Sequence, residues 1–184
     1  MTGLEKETEF TRLLRSRKVK LISAIFFKEE KYFELSKRIL EKRFGEIDLT
    51  SKIFDFNHTD YYKEEMGESL KKVFVSFKKL VDLEKPFRFK IMTGKIERKF
   101  LENGKRKVNI DPGYIELSKL ILFSTKNYSH RIYLGKGIFA EVTLIYKNKS
   151  FQILPWTYPD YREDFAIEFF NKVRDLYKEQ LREG

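Results

Sequence analysis

The chain has 184 residues, 41% of them hydrophobic and 16% aromatic, enough for one domain around a buried, Phe-rich core. It has no cysteine, which excludes disulfides, thiolate metal sites and a cysteine nucleophile. Its 38 Lys and Arg against 28 Asp and Glu give a net charge of +10, so the partners that charge favours are polyanions such as RNA, DNA or nucleotides.

The basic residues are unevenly placed. Lys85 to Lys107 holds nine Lys or Arg against two Glu, and Arg12, Arg15, Arg17, Lys18 and Lys20 form a second cluster. The plainer alternative is a solvated, lysine-rich surface. Abundant Lys and Glu with very little Gln is the usage of thermophile proteins. Met1 to Lys18 is charged and has no apolar signal region, and no apolar run approaches the roughly 18 residues of a membrane span. These features give the expectation of one cytoplasmic domain over residues 1–184, with residues 1–18 as a flexible basic arm or short helix.

Val19 to Phe27 is apolar on both faces and reads as a central strand. Glu29 to Phe44 carries Tyr32, Leu35, Ile39 and Leu40 at helical spacing, with Gly45 as its stop. Leu49 to Asn57 reads as a second strand, and His58 to Ser69 as a polar loop with a short helix. Leu70 to Leu83 alternates Val73, Val75 and Phe77, a third strand. Pro86 to Leu101 reads as a helix with Phe89, Met92, Ile96 and Phe100 on one face, a basic stripe of Arg88, Lys95 and Lys99 beside it, and Asn103-Gly104 ending it. Lys107 to Ile110 is a fourth strand.

That order is β-α-β-β-α-β, the ferredoxin-like arrangement. More sheet follows: Leu117 to Ser124, then a hairpin of Ser129–Leu134 and Ile138–Tyr146 around Gly135-Lys136-Gly137, then Phe151 to Leu154. A helix from about Tyr161 to Leu181 closes the chain. The expected fold is α+β: a ferredoxin-like core with an added antiparallel β-hairpin and a C-terminal helix. In the hairpin, a three-residue loop opposes Leu134 to Ile138, Ile132 to Ala140 and Arg131 to Glu141. It puts Ile132, Leu134, Ile138, Ala140, Val142 and Leu144 on one apolar face.

The Walker and Rossmann phosphate loops are missing: Ile96 follows Gly94-Lys95, and Gly137 follows Gly135-Lys136. No His pair has zinc spacing. The polar, aromatic-rich run from Asn109 to Arg162 carries the remaining candidates, each with a structural alternative. Asp111-Pro112-Gly113 has the chemistry of a tight turn, or Asp111 is a strand-end carboxylate for metal or substrate, with Asn109 on the same face. Arg131 and Glu141 form a cross-strand pair or, in a cleft, a phosphate fork and an acid, base or metal ligand. His130 is a hydrogen-bonded structural residue or a phosphate contact. Asp160 and Glu163 form a capping box, or the Thr157–Arg162 turn is an anion site. Tyr62, Tyr133, Tyr158 and their neighbours are core or stacking residues.

The motifs Thr59-Asp60-Tyr61-Tyr62, Asn109-Ile110-Asp111-Pro112-Gly113-Tyr114, His130-Arg131-Ile132-Tyr133-Leu134, Gly137-Ile138-Phe139-Ala140-Glu141-Val142-Thr143-Leu144 and Trp156-Thr157-Tyr158-Pro159-Asp160-Tyr161-Arg162 together resemble the domain-of-unknown-function family 4416 of small prokaryotic proteins. The resemblance runs from Lys20 to the last helix. It implies a fold and a set of positions, and no activity.

The functional expectation is a cytoplasmic protein that binds, and in an enzyme version hydrolyses or transfers, a phosphorylated ligand such as a nucleotide or RNA beside the hairpin. Asp111, His130 and Glu141 are the catalytic candidates. Asn109, Arg131, Tyr133, Thr157, Tyr158, Asp160, Arg162 and Tyr62 are the binding candidates. Asp111 and Glu141 would hold a divalent cation such as Mg²⁺. A non-catalytic RNA-binding module and a protein-interaction domain are the alternatives.

Overall fold

The computed structural model describes residues 18–56, 66 and 69–183. Residues 1–17 of the basic arm, Tyr62 and most of the segment from His58 to Ser69 lie outside the described residues, and Lys18 begins β1. In chain order the elements are β1 (Lys18–Phe27), α1 (Glu30–Phe44), β2 (Ile47–Thr50), β3 (Phe54–Phe56), β4 (Leu70–Asp82), α2 (Phe87–Arg98), β5 (Leu101–Glu102), β6 (Lys105–Arg106), β7 (Val108–Ile115), β8 (Lys119–Ser124), β9 (Ile132–Gly135), β10 (Ile138–Lys147), β11 (Ser150–Ile153), a 3₁₀ turn at Pro159–Tyr161 and α3 (Asp164–Glu183).

The described residues build a mixed α+β domain on one nine-stranded antiparallel sheet. Its order is β11-β10-β8-β7-β1-β4-β2, with β3 on β4 and β9 on β10. As the apolar run from Val19 requires, β1 is central and buried on both faces. One face packs Leu21, Ile25, Phe27, Val75 and Phe77 against Phe33, Leu40 and Phe44 of α1 and Phe89 and Ile96 of α2. The other packs Ile22, Ala24, Phe26, Phe74 and Leu122 against Phe169, Phe170 and Val173 of α3. Each buried aromatic or aliphatic side chain contributes about 1.5–3 kcal/mol, so the two layers fix the sheet from both sides.

Several local expectations are corrected. Leu49 to Asn57 is not one strand: residues 51–53 break it into β2 and β3, both on the outer edge of β4. Asn103-Gly104, each with positive φ, does not end α2 but turns the small β5–β6 ribbon. Lys20 is not part of a surface cluster. It is fully buried, with its ammonium donating to Asp48 at 2.5 Å, the Phe77 carbonyl at 3.1 Å and Gln180 at 2.9 Å.

The hairpin turn is two residues long. Gly135, not Leu134, opposes Ile138, and Lys136 and Gly137 carry the positive φ that a type I′ turn needs. A bulge then restores the expected pairing of Ile132 with Ala140. Ile132 is 71% exposed rather than part of an apolar face. A second bulge, between Val142 and Leu144, turns Leu144 toward α3, while Ile138, Ala140 and Val142 face the α1–α2 layer.

Asp111-Pro112-Gly113 is not a turn. It lies inside β7, where Asp111 opposes Ala24 and Gly113 opposes Ile22. β7 pairs with β8 only from Gly113 to Ile115, while β8 runs on to Ser124 along β10. The sheet is therefore open between the first half of β7 and the end of β8. Pro112 shares its backbone direction with Ile110, toward that opening, so its missing N–H removes no ladder bond. Gly113 is required where the two strands rejoin: a Cβ there would meet the Ile121 carbonyl oxygen at 2.2 Å.

Candidate functional site

The opening between β7 and β8 is closed by side chains of α2. Glu97 Oε1 accepts the Ile110 N–H at 2.8 Å, and Lys90 Nζ donates to the Ile110 carbonyl at 3.0 Å. These are the backbone groups that a paired strand would have satisfied. Arg106 anchors Glu97 Oε2 at 2.9 Å and also donates to Asn109 Oδ1 at 2.9 Å. Asn109 in turn donates to Asp111 Oδ2 at 3.0 Å, and Lys90 donates to Asp111 Oδ1 at 2.7 Å. Asn109 and Asp111 lie on the α3 face of β7 because they oppose Phe26 and Ala24.

A cavity of about 460 Å³ occupies this place, within the ordinary range for small-molecule sites. Its walls come from α2 (Lys90, Gly94, Glu97), β7 (Asn109, Asp111), the end of β8 and the residues after it (Ser124, Thr125, Lys126), β10 (Glu141) and the turn before α3 (Tyr158, Asp160, Tyr161). Phe26, Phe56, Lys72 and Arg106 also line it. Lys72 is buried and paired with Asp160. Its ammonium lies 4.2 Å from the Phe26 ring centre and 4.8 Å from that of Tyr161, in cation–π contact with both.

Glu141 opposes Leu122 and so faces the same side. Its Oε2 receives Arg131 Nε at 2.7 Å and lies 3.1 Å from His130 Nε2, and its Oε1 accepts from Thr143 at 3.1 Å. Arg131 also donates to Ser124 Oγ at 3.1 Å, the Lys126 carbonyl at 2.8 Å and the Tyr158 hydroxyl at 2.5 Å. The pairing argued from the hairpin register is thus a buried ion pair. Arg131 touches the cavity through four residues that line it: Ser124, Lys126, Glu141 and Tyr158.

Burial sets the ionisation of these groups. Burial alone would raise Asp111, but Lys90, with Lys72 and Asn109, holds it below the ordinary carboxylate value. Burial pushes Glu97 up, which Lys90 and the Ile110 N–H only partly offset. Burial lowers Lys72 against the pull of Asp160. Tyr158 is pushed up to about 12, by burial first and by Glu141 next.

Of the residues singled out in the sequence, Asn109, Asp111, Glu141, Tyr158 and Asp160 line one cavity, and Arg131 and His130 hold Glu141. Three others sit elsewhere. Tyr133 is exposed on β9, where its hydroxyl accepts the Gly137 N–H at 3.3 Å. Thr157 is buried and donates to the Thr143 carbonyl at 2.6 Å. Arg162 ties the turn together through the Thr157 and Pro155 carbonyls. Asp160 is not a helix cap: α3 starts at Asp164, and the Glu163 carbonyl accepts its first N–H bonds. Sequence reading missed Lys72, Lys90, Glu97 and Arg106. Their charge was visible, but only the open sheet brings them to one place.

Asp111 and Glu141, expected to share a divalent cation, each have both oxygens on protein donors. Among the described residues no cluster of three or more His, Asp or Glu is arranged to hold a metal ion. No described helix is long and apolar enough to cross a membrane.

A family model described as a domain of unknown function, DUF4416, matches residues 17–177. The chain belongs to the DUF4416 family. No curated protein matches it in a sequence comparison. The DUF4416 match takes in every cavity residue named above, from Phe26 to Tyr161.

Proposed function

We propose that this DUF4416 protein binds a small phosphorylated molecule in the cavity at the β7–β8 opening. The observation that supports this reading most is the concentration of buried and half-buried charge. Lys72, Lys90, Arg106 and Arg131 meet Glu97, Asp111, Glu141 and Asp160 around one cavity. Buried ion pairs are neutral or unfavourable for stability as often as they help. Their gathering at a pocket is the signature of a binding or catalytic site.

The walls suit a phosphate. Lys90 and Arg106 present charge-assisted donors, and Asn109, Ser124 and Thr125 are neutral polar groups on the same cavity. The carboxylates aim the cations. Asp111 is 29% open to the cavity and held ionised by Lys90. In an enzyme version it would accept a hydrogen bond from a ligand hydroxyl or water and orient it. Glu141 orients Arg131, and His130 supports Glu141 from behind. We also propose a ferredoxin-like unit of β1, α1, β2, β4, α2 and β7, supported by the strand order β7-β1-β4-β2 with both helices on one face.

Calorimetric titration with ribose 5-phosphate and with nucleotides, with and without Mg²⁺, tests the binding reading. Heat from the wild type that Lys90→Ala and Asp111→Ala reduce at least tenfold in affinity supports it. No heat, or equal heat from the variants, sinks it.

A second reading has its own observation. Arg88, Lys95 and Arg98 of α2 and Lys99 just after it are exposed, which supports RNA contact on that face. RNA affinity falling steeply with salt tests it.

A further inference from the structure

Beside the cavity stands a column of three nearly parallel rings. The His130 ring stacks on Trp156 at 5.1 Å between centres and 12° between planes, and on Tyr128 at 6.0 Å and 19°. The core does not call for this column, because Tyr128 is 58% exposed and Trp156 39% exposed. It is nevertheless held in place. Trp156 Nε1 donates to the Val142 carbonyl at 2.7 Å, and His130 Nε2 meets Glu141. The Arg131 guanidinium lies 4.8 Å from the Tyr128 ring centre.

Planar, pre-ordered and solvent-facing rings are what stacks on a nucleobase, since every base offers a π face. Rigid aromatic side chains also lose little freedom when a ligand arrives. Glu141 and Arg131 link the column to the cavity: Glu141 lines it, and Arg131 bonds Tyr158, which lines it too. A base on the column and a phosphate in the cavity would be parts of one ligand.

We propose that the Tyr128–His130–Trp156 column is a base-stacking subsite, so that the ligand of the cavity is a nucleotide rather than a sugar phosphate. This rests on the phosphate-binding reading above. The subsite reads the base by its face, with Arg131 as the cation beside it.

Trp156 is the single tryptophan, so its fluorescence reports the subsite directly. The probes are AMP, adenosine and ribose 5-phosphate, each titrated into the full chain by fluorescence and by calorimetry. The inference expects AMP to quench Trp156 and to bind about tenfold more tightly than ribose 5-phosphate, which leaves the fluorescence unchanged. Tyr128→Ala, an exposed position, should remove that roughly tenfold advantage, the scale of one stacked base, and leave ribose 5-phosphate binding as it was. Trp156→Phe keeps a ring and should keep the advantage.

Equal binding of AMP and ribose 5-phosphate, unaffected by Tyr128→Ala, overturns the base subsite and leaves the phosphate reading standing. Adenosine binding as tightly as AMP supports the subsite and overturns the phosphate reading. No binding of any probe overturns both.

Discussion

Glu97 on α2 takes the place of a neighbouring strand for Ile110 on β7: its Oε1 accepts the Ile110 N–H at 2.8 Å while Arg106 holds its other oxygen at 2.9 Å. Glu97→Ala leaves a buried N–H without an acceptor and removes one carboxylate partner of Arg106. The expected loss is about 3–5 kcal/mol of unfolding free energy. Glu97→Gln keeps an acceptor for Ile110 and should lose less. Urea unfolding of the two variants checks both values and their order.

Lys72 and Asp160 are a buried pair, and breaking it from one side leaves a buried charge. Lys72→Met and Asp160→Leu should each lose about 3–5 kcal/mol. The double variant should lose less than the sum, because neither charge is then stranded. A double-mutant cycle by chemical denaturation measures the difference, and strict additivity would show that the pair is not coupled.

Gly113→Ala puts a methyl group 2.2 Å from the Ile121 backbone oxygen. Backbone on both sides of β7 leaves nowhere to move, so the loss should exceed about 3 kcal/mol, beyond ordinary overpacking. Gly104→Ala, which meets nothing within 4 Å, should show only the smaller penalty of its positive φ of 74°. Thermal unfolding separates the two.

Much of this layout was legible because local patterns agree with tertiary ones. An unbroken apolar run identified β1, alternation identified β4, helical spacing identified α1 and α3, and the hairpin register brought Arg131 to Glu141. The placing of Asn109 and Asp111 on one strand face rested on period two alone, and they are hydrogen-bonded. The errors share a cause. Asp-Pro-Gly reads as a turn by composition, yet an open sheet edge tolerates Pro112 and a close strand contact demands Gly113. Asp160 and Glu163 have capping-box spacing, yet Asp160 answers Lys72, 88 residues away in sequence. Lys90 and Glu97 are hydrophilic positions on a helix, and nothing in 3.6-residue spacing shows that they bond a strand where the sheet parts.

The pH dependence follows from Asp111. Its folded-state pKa is held below the unfolded value of about 3.9. Its contribution is therefore complete above that value and is lost as pH falls through the folded one. Wild-type stability should drop through and below about pH 4. Asp111→Asn should have lower stability at pH 7 and a shallower acid limb, with the two curves converging at low pH. Unfolding free energies measured from pH 7 to pH 2 check this, and parallel acid limbs would show that Asp111 contributes nothing to linkage.

Backbone amide shift mapping with ribose 5-phosphate tests the binding cavity most directly, because it separates the cavity from the exposed basic face of α2. Shifts that concentrate at Ile110, Asp111, Ser124, Glu141 and Tyr158, saturate, and vanish in Lys90→Ala are the predicted result. Weak, salt-sensitive shifts at Arg88, Lys95 and Lys99 alone, unchanged in Lys90→Ala, would contradict it.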